Sequence, residues 1–520
     1  MGLIAETRQA IQDSPRGVFN WYLLLNTAIF ALSGIGRGFD EGNIACLVVQ
    51  SRFRIKFGLD QQSPEQYANS KGWVVSIFTA GMALGCLACL PFNDRIGRRW
   101  TMRLSTLVYV GGILGQGLCN GNLAGLYASR LISGLGVGGM TVTPPMYISE
   151  IAPKTIRGLL ALQYTACQQL GVVFGFFINY SISKTYDGTD MQWMFPTLIQ
   201  LVPAAIWGLG MLICEESPRW LLYVGRRTQA VSVLARLRHL PCTHPTVVTE
   251  IAVMEHQILQ EREAVTDASQ WRLLQETFGP VENRRRFFLV FMAHLFSQWS
   301  GGNAITQYLP TILGYLGTSG DAASLTTGIY AAVKFGCVLV FSLVLVDFVG
   351  RRRSLMAGIT LQITTLAYLA CYLGITRGMT TTALLHAPSA SRASTGAIAA
   401  IFLHGVGWVI GWFSMPFLIG AEIFPIRIRS LAVSLGMACH WLFAFGCSRA
   451  TPDLLEVTHE WGAFAFFACI CLVSLVYVFF AMPRPWYTVY RVAYAKEEDE
   501  ELEVQAIHER GKSDMVGEAE

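Results

Sequence analysis

Charged side chains embedded in apolar sequence are the residues best placed to do chemistry in this chain. Asp40 lies in the first apolar segment with Arg37 and Glu41 beside it. A carboxylate so placed answers to its neighbours: beside a guanidinium it stays charged, and alone in a dry site it takes a proton. Arg37 could hold either acid. Lys334 lies near the middle of another apolar segment, and the apolar segments of the second half carry no acid. Its counter-charge must come from Asp40 or Glu41, or from a bound molecule such as a carboxylate. His294, His404 and His440 also fall within apolar segments, where isolated histidines usually hydrogen-bond to neighbouring helices. Nothing resembles a nucleotide-binding loop or a metal-ligand cluster, so neither ATP hydrolysis nor redox catalysis is expected, nor any cofactor.

The elements that must position these groups are membrane helices. Hydrophobic residues make up 52% of the chain and charged ones 14%, against roughly 25% charged in a soluble domain. A spanning helix needs about 20 apolar residues. Twelve such segments can be placed, at 21–45, 71–92, 101–121, 126–148, 159–181, 193–214, 287–310, 324–346, 355–375, 395–418, 430–449 and 461–482. The expected architecture is all-α. The net charge of +4 is spread over short loops, which gives no support to nucleic-acid binding. Thirteen cysteines without regular spacing, many inside apolar runs, read as free thiols rather than a disulfide frame. The first nineteen residues lack the features of a secretory signal peptide. Asn179-Tyr180-Ser181 is a formal glycosylation signal at the membrane edge.

The loops between segments repeat. Asp94-Arg95-Ile96-Gly97-Arg98-Arg99 recurs as Asp347-Phe348-Val349-Gly350-Arg351-Arg352. Glu150-Ile-Ala-Pro-Lys-Thr-Ile-Arg157 recurs as Glu422-Ile-Phe-Pro-Ile-Arg-Ile-Arg429. Two matches in the same order mark a duplication. Most basic loop residues fall on one side of the twelve-span arrangement, which should be cytoplasmic with both termini. Residues 46–70 break this rule through Arg52, Arg54 and Lys56, whose nearest acids in sequence are Asp60 and Glu65.

With these repeats, Glu216-Ser217-Pro218-Arg219-Trp220 and the Arg-x-x-x-Gly-x-Gly-x-Gly run from Arg130 to Gly138, the chain resembles the sugar porter family of the major facilitator superfamily over roughly residues 20–490. The resemblance implies two pseudo-symmetric six-helix halves, 21–218 and 287–482, around a central site, with a cytoplasmic helical linker at 219–286 and cytoplasmic ends at 1–20 and 483–520. It implies a secondary transporter, not an enzyme, that carries a sugar-like polyhydroxylated solute with protons by alternating access, as a monomer in the bilayer of the plasma membrane. Asp40 would take and release the proton under the influence of Arg130. Asp94, Arg98, Arg99, Glu150, Arg157, Glu216, Arg219, Asp347, Arg351, Arg352, Glu422 and Arg429 would form the cytoplasmic gate.

Ser297-Gln298-Trp299-Ser300-Gly301-Gly302-Asn303 is close to the family's sugar-gripping Gln-Gln-x-Ser-Gly-x-Asn, so Gln298 and Asn303 carry over while Ser297 replaces the first Gln. An amide offers a donor and an acceptor together, as a hydroxyl requires. Thr165 stands where the family has a binding Gln, with Gln168 one turn on. Phe417 replaces a stacking Trp, Trp412 matches an upstream Trp, and Ala444 replaces an Asn. These departures all fall where substrate would sit. With Lys334 they favour a solute other than a plain hexose, such as a quinate-like hydroxy acid or an acidic metabolite for uptake or export. A non-transporting sugar sensor on the same fold is the reading from another class, and the short polar tail counts against it.

Overall fold

A computed structural model describes residues 20–153, 156–265, 270–318, 320–341, 351–377 and 388–482. Asp347 and the two chain ends lie outside the described residues, as do the side chains of Arg351, Glu422 and Arg429.

All described secondary structure is helical. The first half runs α1 (Trp21–Leu32), α2 (Gly34–Leu47), α3 (Ser51–Lys56), α4 (Pro64–Ile96), α5 (Arg98–Leu118), α6 (Leu123–Ile151), α7 (Arg157–Thr185), α8 (Met191–Leu198) and α9 (Leu201–Ile213). The connection holds α10 (Pro218–Tyr223), α11 (Arg227–Arg238), α12 (Pro245–Val265) and α13 (Gln270–Phe278). Then come α14 (Val281–Trp299), α15 (Gly302–Tyr315), α16 (Gly320–Val340), α17 (Arg351–Ile375), α18 (Pro388–Trp408), a π-helical stretch (Val409–Phe413), α19 (Met415–Ile423), α20 (Ile426–Val457) and α21 (Trp461–Ala481).

Eight described spans are long and apolar enough to cross a membrane. The other four expected positions are filled by α1 with α2, by α5, by α6, and by α14 with α15, giving the twelve-helix architecture. All thirteen cysteines are free. Cys469 and Cys371 sit on the outer surface rather than in the core.

Close backbone approach organises the first half. Gly34, Gly38 and Gly42 line one face of α2, and a side chain on any of them would strike the backbone of α7. Gly134 and Gly138 of α6 meet α4 while Gly136 meets α5, so the small residues let these helices approach closely. Asn179 is buried and donates to Asn43 Oδ1 at 2.8 Å, so the formal glycosylation signal offers no accessible acceptor.

The two ends of the molecule differ. At the end opposite Gly97, Ile44, Leu47, Val75 and Trp193 merge with Ala304, Tyr308 and Leu313 into one core. Polar ties cross there: Lys71 donates to Thr311 at 2.6 Å, Arg449 to Asn69, and Lys184 pairs with Asp321 at 3.4 Å. Near the Gly97 end, the first-half core takes in Trp441 and Ala444 from beyond the linker among the described residues. The halves are thus sealed at one end. Within 46–70, Arg52 and Lys56 each reach Asp190 at 2.9 Å, not Asp60 or Glu65, and Arg54 stacks on Tyr67. The fold brings Asp190, far off in sequence, under α3.

Candidate functional site

Arg130 of α6 grips Asp40 of α2 through two parallel hydrogen bonds of 3.0 Å each. Both side chains are buried, and Gln116 Oε1 accepts a weaker bond from the same guanidinium at 3.4 Å. The fork of a guanidinium matches the two oxygens of a carboxylate, so the pair holds both side chains in one geometry. Arg37, which the sequence allowed to hold either acid, holds neither. Its guanidinium lies over the Trp441 ring at 4.6 Å and forms no ion pair among the described residues.

Beside this pair lies a small cavity between α2, α4, α15 and α20. Arg37, Asp40, Glu41, Asn303, Gln307 and Trp441 supply its polar wall, and Ile44, Val75, Phe78 and Met82 its apolar one. Glu41 Oε1 and Trp441 Nε1 are buried there without a hydrogen-bond partner. A wall carrying a cation, amides and unpaired polar atoms opposite apolar side chains is suited to a small solute with hydroxyls on one face.

The break between α14 and α15 places the amides. Gly301 has φ +88°, a left-handed conformation with little strain only for glycine, and it redirects the chain just before Asn303. Asn303 reaches the cavity, whereas Gln298 lies behind it. Asn303 Nδ2 donates to Gln298 Oε1 at 2.8 Å, and Gln298 Nε2 lies 3.0 Å from His440 Nε2. His440 Nδ1 in turn lies 3.1 Å from His294 Nδ1.

The remaining sequence candidates surround the cavity without lining it. Lys334 donates to Thr306 Oγ1 at 3.0 Å and sits over Trp408 at 4.4 Å, with no ion pair to Asp40 or Glu41. Arg130 has already taken Asp40, and a hydroxyl and an aromatic face serve the ammonium instead. Gln168 is buried on α7, where its backbone meets Gly38. Trp412 is buried against Phe296, and its Nε1 has no partner. Phe417 packs its ring on His440 and His294, at 5.0 and 5.6 Å. Trp441, Gln307 and Thr79 line the cavity and were missed. Gln307 lies one turn beyond Asn303 and Trp441 directly follows His440, which is the signal that could have found them.

At the Gly97 end Arg98 bridges Glu150 at 2.8 Å and Asp94 at 3.8 Å. Glu216 accepts backbone N–H groups from Arg98, Arg99 and Ser217 at 3.0, 3.2 and 3.0 Å, so it caps the N-terminus of α5. Burial raises its carboxyl above the usual pKa, and those N–H groups and Arg98 pull it back only in part. Gly97 has φ +90°, and a Cβ there would come within 2.6 Å of Glu216 Oε2. Arg99 donates to Cys214 O at 3.0 Å. Trp220 donates to Asp94 O at 2.8 Å, and Arg219 pairs with Glu261 at 2.5 Å, tying the linker helices to the loop. Arg157 is exposed at the start of α7. In the second copy Arg352 donates to Phe479 O at 2.6 Å.

A duplicated helical fold with a charged latch at one end, a sealed other end and a polar chamber between defines a secondary carrier of the major facilitator type. The profile for "Sugar (and other) transporter" proteins matches residues 26–485, and the chain belongs to that family. Among curated relatives, a "Probable quinate permease" of Aspergillus niger is 33% identical over 482 residues, covering 91% of this chain and 87% of the relative. A "Quinate permease" of Emericella nidulans is also 33% identical, covering 91% and 88%. Among solved structures, the proton:xylose symporter XylE bound to 6-bromo-6-deoxy-D-glucose superposes with a TM-score of 0.72 at 22% identity, over 89% of this chain and 96% of that one. A partially occluded inward-open form of XylE from E. coli gives 0.73 at 20% identity, over 89% and 98%.

Proposed function

We propose that this transporter carries a small polyhydroxylated carboxylate of the quinate type together with protons. The observation that carries the reading is Arg37, a cavity-lining guanidinium without an ion pair among the described residues, stacked on Trp441 and facing the amides of Asn303 and Gln307. Glu41 is the acid that acts on both Arg37 and Lys334. The described charges near the chamber are thus Arg37, Arg130 and Lys334 against Asp40 and Glu41, one cation in excess. A bound carboxylate balances that set, and hydroxyls meet Glu41 Oε1, Trp441 Nε1 and Asn303. Lys334 acts through space, from behind Thr306 and Trp408.

The Asp40–Arg130 pair supports proton coupling. When the helices rock and Arg130 withdraws, Asp40 is left in apolar surroundings and takes a proton, which it returns when the pair reforms. The Arg98 end, rich in loop cations, is the cytoplasmic side, with both termini there and the plasma membrane as its location. The sealed opposite end makes this an inward-facing state. In it Arg98 holds Asp94 and Glu150, Glu216 holds the backbone of Arg98 and Arg99, and Arg219 ties to Glu261, while Arg157, Asp347, Arg351, Arg352, Glu422 and Arg429 complete the closure when the inner ends meet. Gln168, Gln298, Trp412 and Phe417 frame the chamber from its second layer.

Reconstitution of the purified chain into proteoliposomes tests the reading. Labelled quinate is expected to accumulate when the outside is made acidic, and an uncoupler abolishes the accumulation. Uptake of neutral pentoses or hexoses in preference to quinate would reject the anion reading. Absence of any uptake would favour a sensor.

A further inference from the structure

The chain of polar groups behind Asn303 has a direction. Amide nitrogens only donate, so Gln298 Nε2, which lies 3.0 Å from His440 Nε2 and 3.4 Å from its Nδ1, makes the shorter contact to a ring nitrogen that must be bare. Neutral His440 then carries its proton on Nδ1 and gives it to His294 Nδ1 at 3.1 Å, and His294 keeps its own on Nε2. At the other end Asn303 Nδ2 donates to Gln298 Oε1 at 2.8 Å, which leaves Asn303 Oδ1 as an acceptor toward the cavity. Each orientation dictates the next over four residues on α14, α15 and α20.

We propose that His440 and His294 are positioning residues that set which way the Gln298–Asn303 amides point, and reverse them on taking up a proton. The inference rests on the quinate-type reading above. A proton from the medium added at His440 Nε2 makes that atom a donor. Gln298 must then turn Oε1 toward it, its Nε2 donates to Asn303 Oδ1, and Asn303 swings its NH₂ to the cavity. An acceptor becomes a donor beside Arg37, which suits a carboxylate. Proton and anion therefore bind together, by a route separate from Asp40.

The charged group that acts on His440 is Arg37 of α2, and the other titratable group is His294 itself. The side chains placed against the two rings are Phe417 from α19, Trp441 from α20 and Gln298 from α14, all uncharged. Packing of Phe417 on both rings keeps water from replacing the chain of bonds.

Two measurements on the full-length protein test the proposal. Nitrogen-15 NMR of histidine-labelled transporter in detergent, assigned with His294→Gln and His440→Gln, should show His440 protonated on Nδ1 and His294 on Nε2 at neutral pH. The reverse tautomers, or both rings protonated on Nε2, would overturn the proposal whatever the solute. Counterflow of labelled quinate, with equal pH on both sides, should give a KM that falls more steeply with acidification in the wild type than in His440→Gln. Any slope left in that variant belongs to Asp40. His440→Phe, which strands Gln298 Nε2, should raise KM about tenfold with little change in maximal rate. Equal slopes in wild type and His440→Gln, or equal KM in the Gln and Phe variants, would reduce the pair to packing. If the wild type carries no quinate, the substrate reading fails and the tautomers alone decide this one.

Discussion

Replacing Arg37 by Gln removes the cation that the chamber offers a carboxylate and leaves a side chain of similar reach. The guanidinium has no competing ion pair among the described residues, and its stack on Trp441 at 4.6 Å holds it ready. A carboxylate placed about 4 Å away gains at most about 4 kcal/mol at an effective dielectric of about 20. Desolvation of the solute reduces this, and a charge-assisted hydrogen bond is worth about 1.5–3 kcal/mol net. The expected loss for Arg37→Gln is about 2–3 kcal/mol, a roughly 30- to 150-fold rise in KM for quinate. A neutral polyol such as inositol, bound through hydroxyls, should change by less than about threefold. Arg37→Lys keeps the charge without the planar stack and should fall between. The assay is counterflow in proteoliposomes without a membrane potential, with detergent melts to confirm folding. Equal increases for quinate and inositol, or no change for quinate, would refute the argument that this guanidinium receives the anion.

Asp40→Asn keeps one acceptor for Arg130, loses the second, and cannot exchange a proton, so it should lose accumulation driven by a pH gradient while still exchanging solute; retained accumulation would place the coupling elsewhere. Gly38→Ala should cost about 3 kcal/mol or more in stability: a Cβ there would lie 1.8 Å from Gln168 O, and α2 and α7 must part to admit it. An unchanged detergent melting temperature would contradict the packing described. Asp190 is held below its usual carboxylate pKa, first by the hydrogen bond from Lys56 and then by desolvation and Arg52 acting in opposite directions. Its folded pKa is depressed, so the clasp on α3 stabilises the protein fully above the ordinary aspartate value of 3.8 and is lost as pH falls through the lower folded value. Asp190→Asn should flatten the acid limb of a pH–melting curve relative to wild type, and superimposable limbs would count against the clasp.

Apolar length, duplicated loops and glycine spacing are properties of the linear chain, so the twelve helices, the paired latch motifs and the family were readable from sequence. So was the Asp40–Arg130 partnership, through the resemblance alone, because no spacing rule links positions ninety residues apart. Which cation meets which anion was decided by the tertiary structure. Asp190 displaced Asp60 and Glu65 as the partner of Arg52 and Lys56, and Lys334 settled on Thr306 and Trp408 instead of a carboxylate. Arg37 was left open because Arg130 had already satisfied Asp40. The physical reason is that a buried charge takes the partner that helix packing brings within a few ångströms, and that choice depends on crossing angles and glycine contacts between segments distant in sequence. Trp441 and the His294–His440 pair became visible for the same reason, when α14 and α20 came together around the amides.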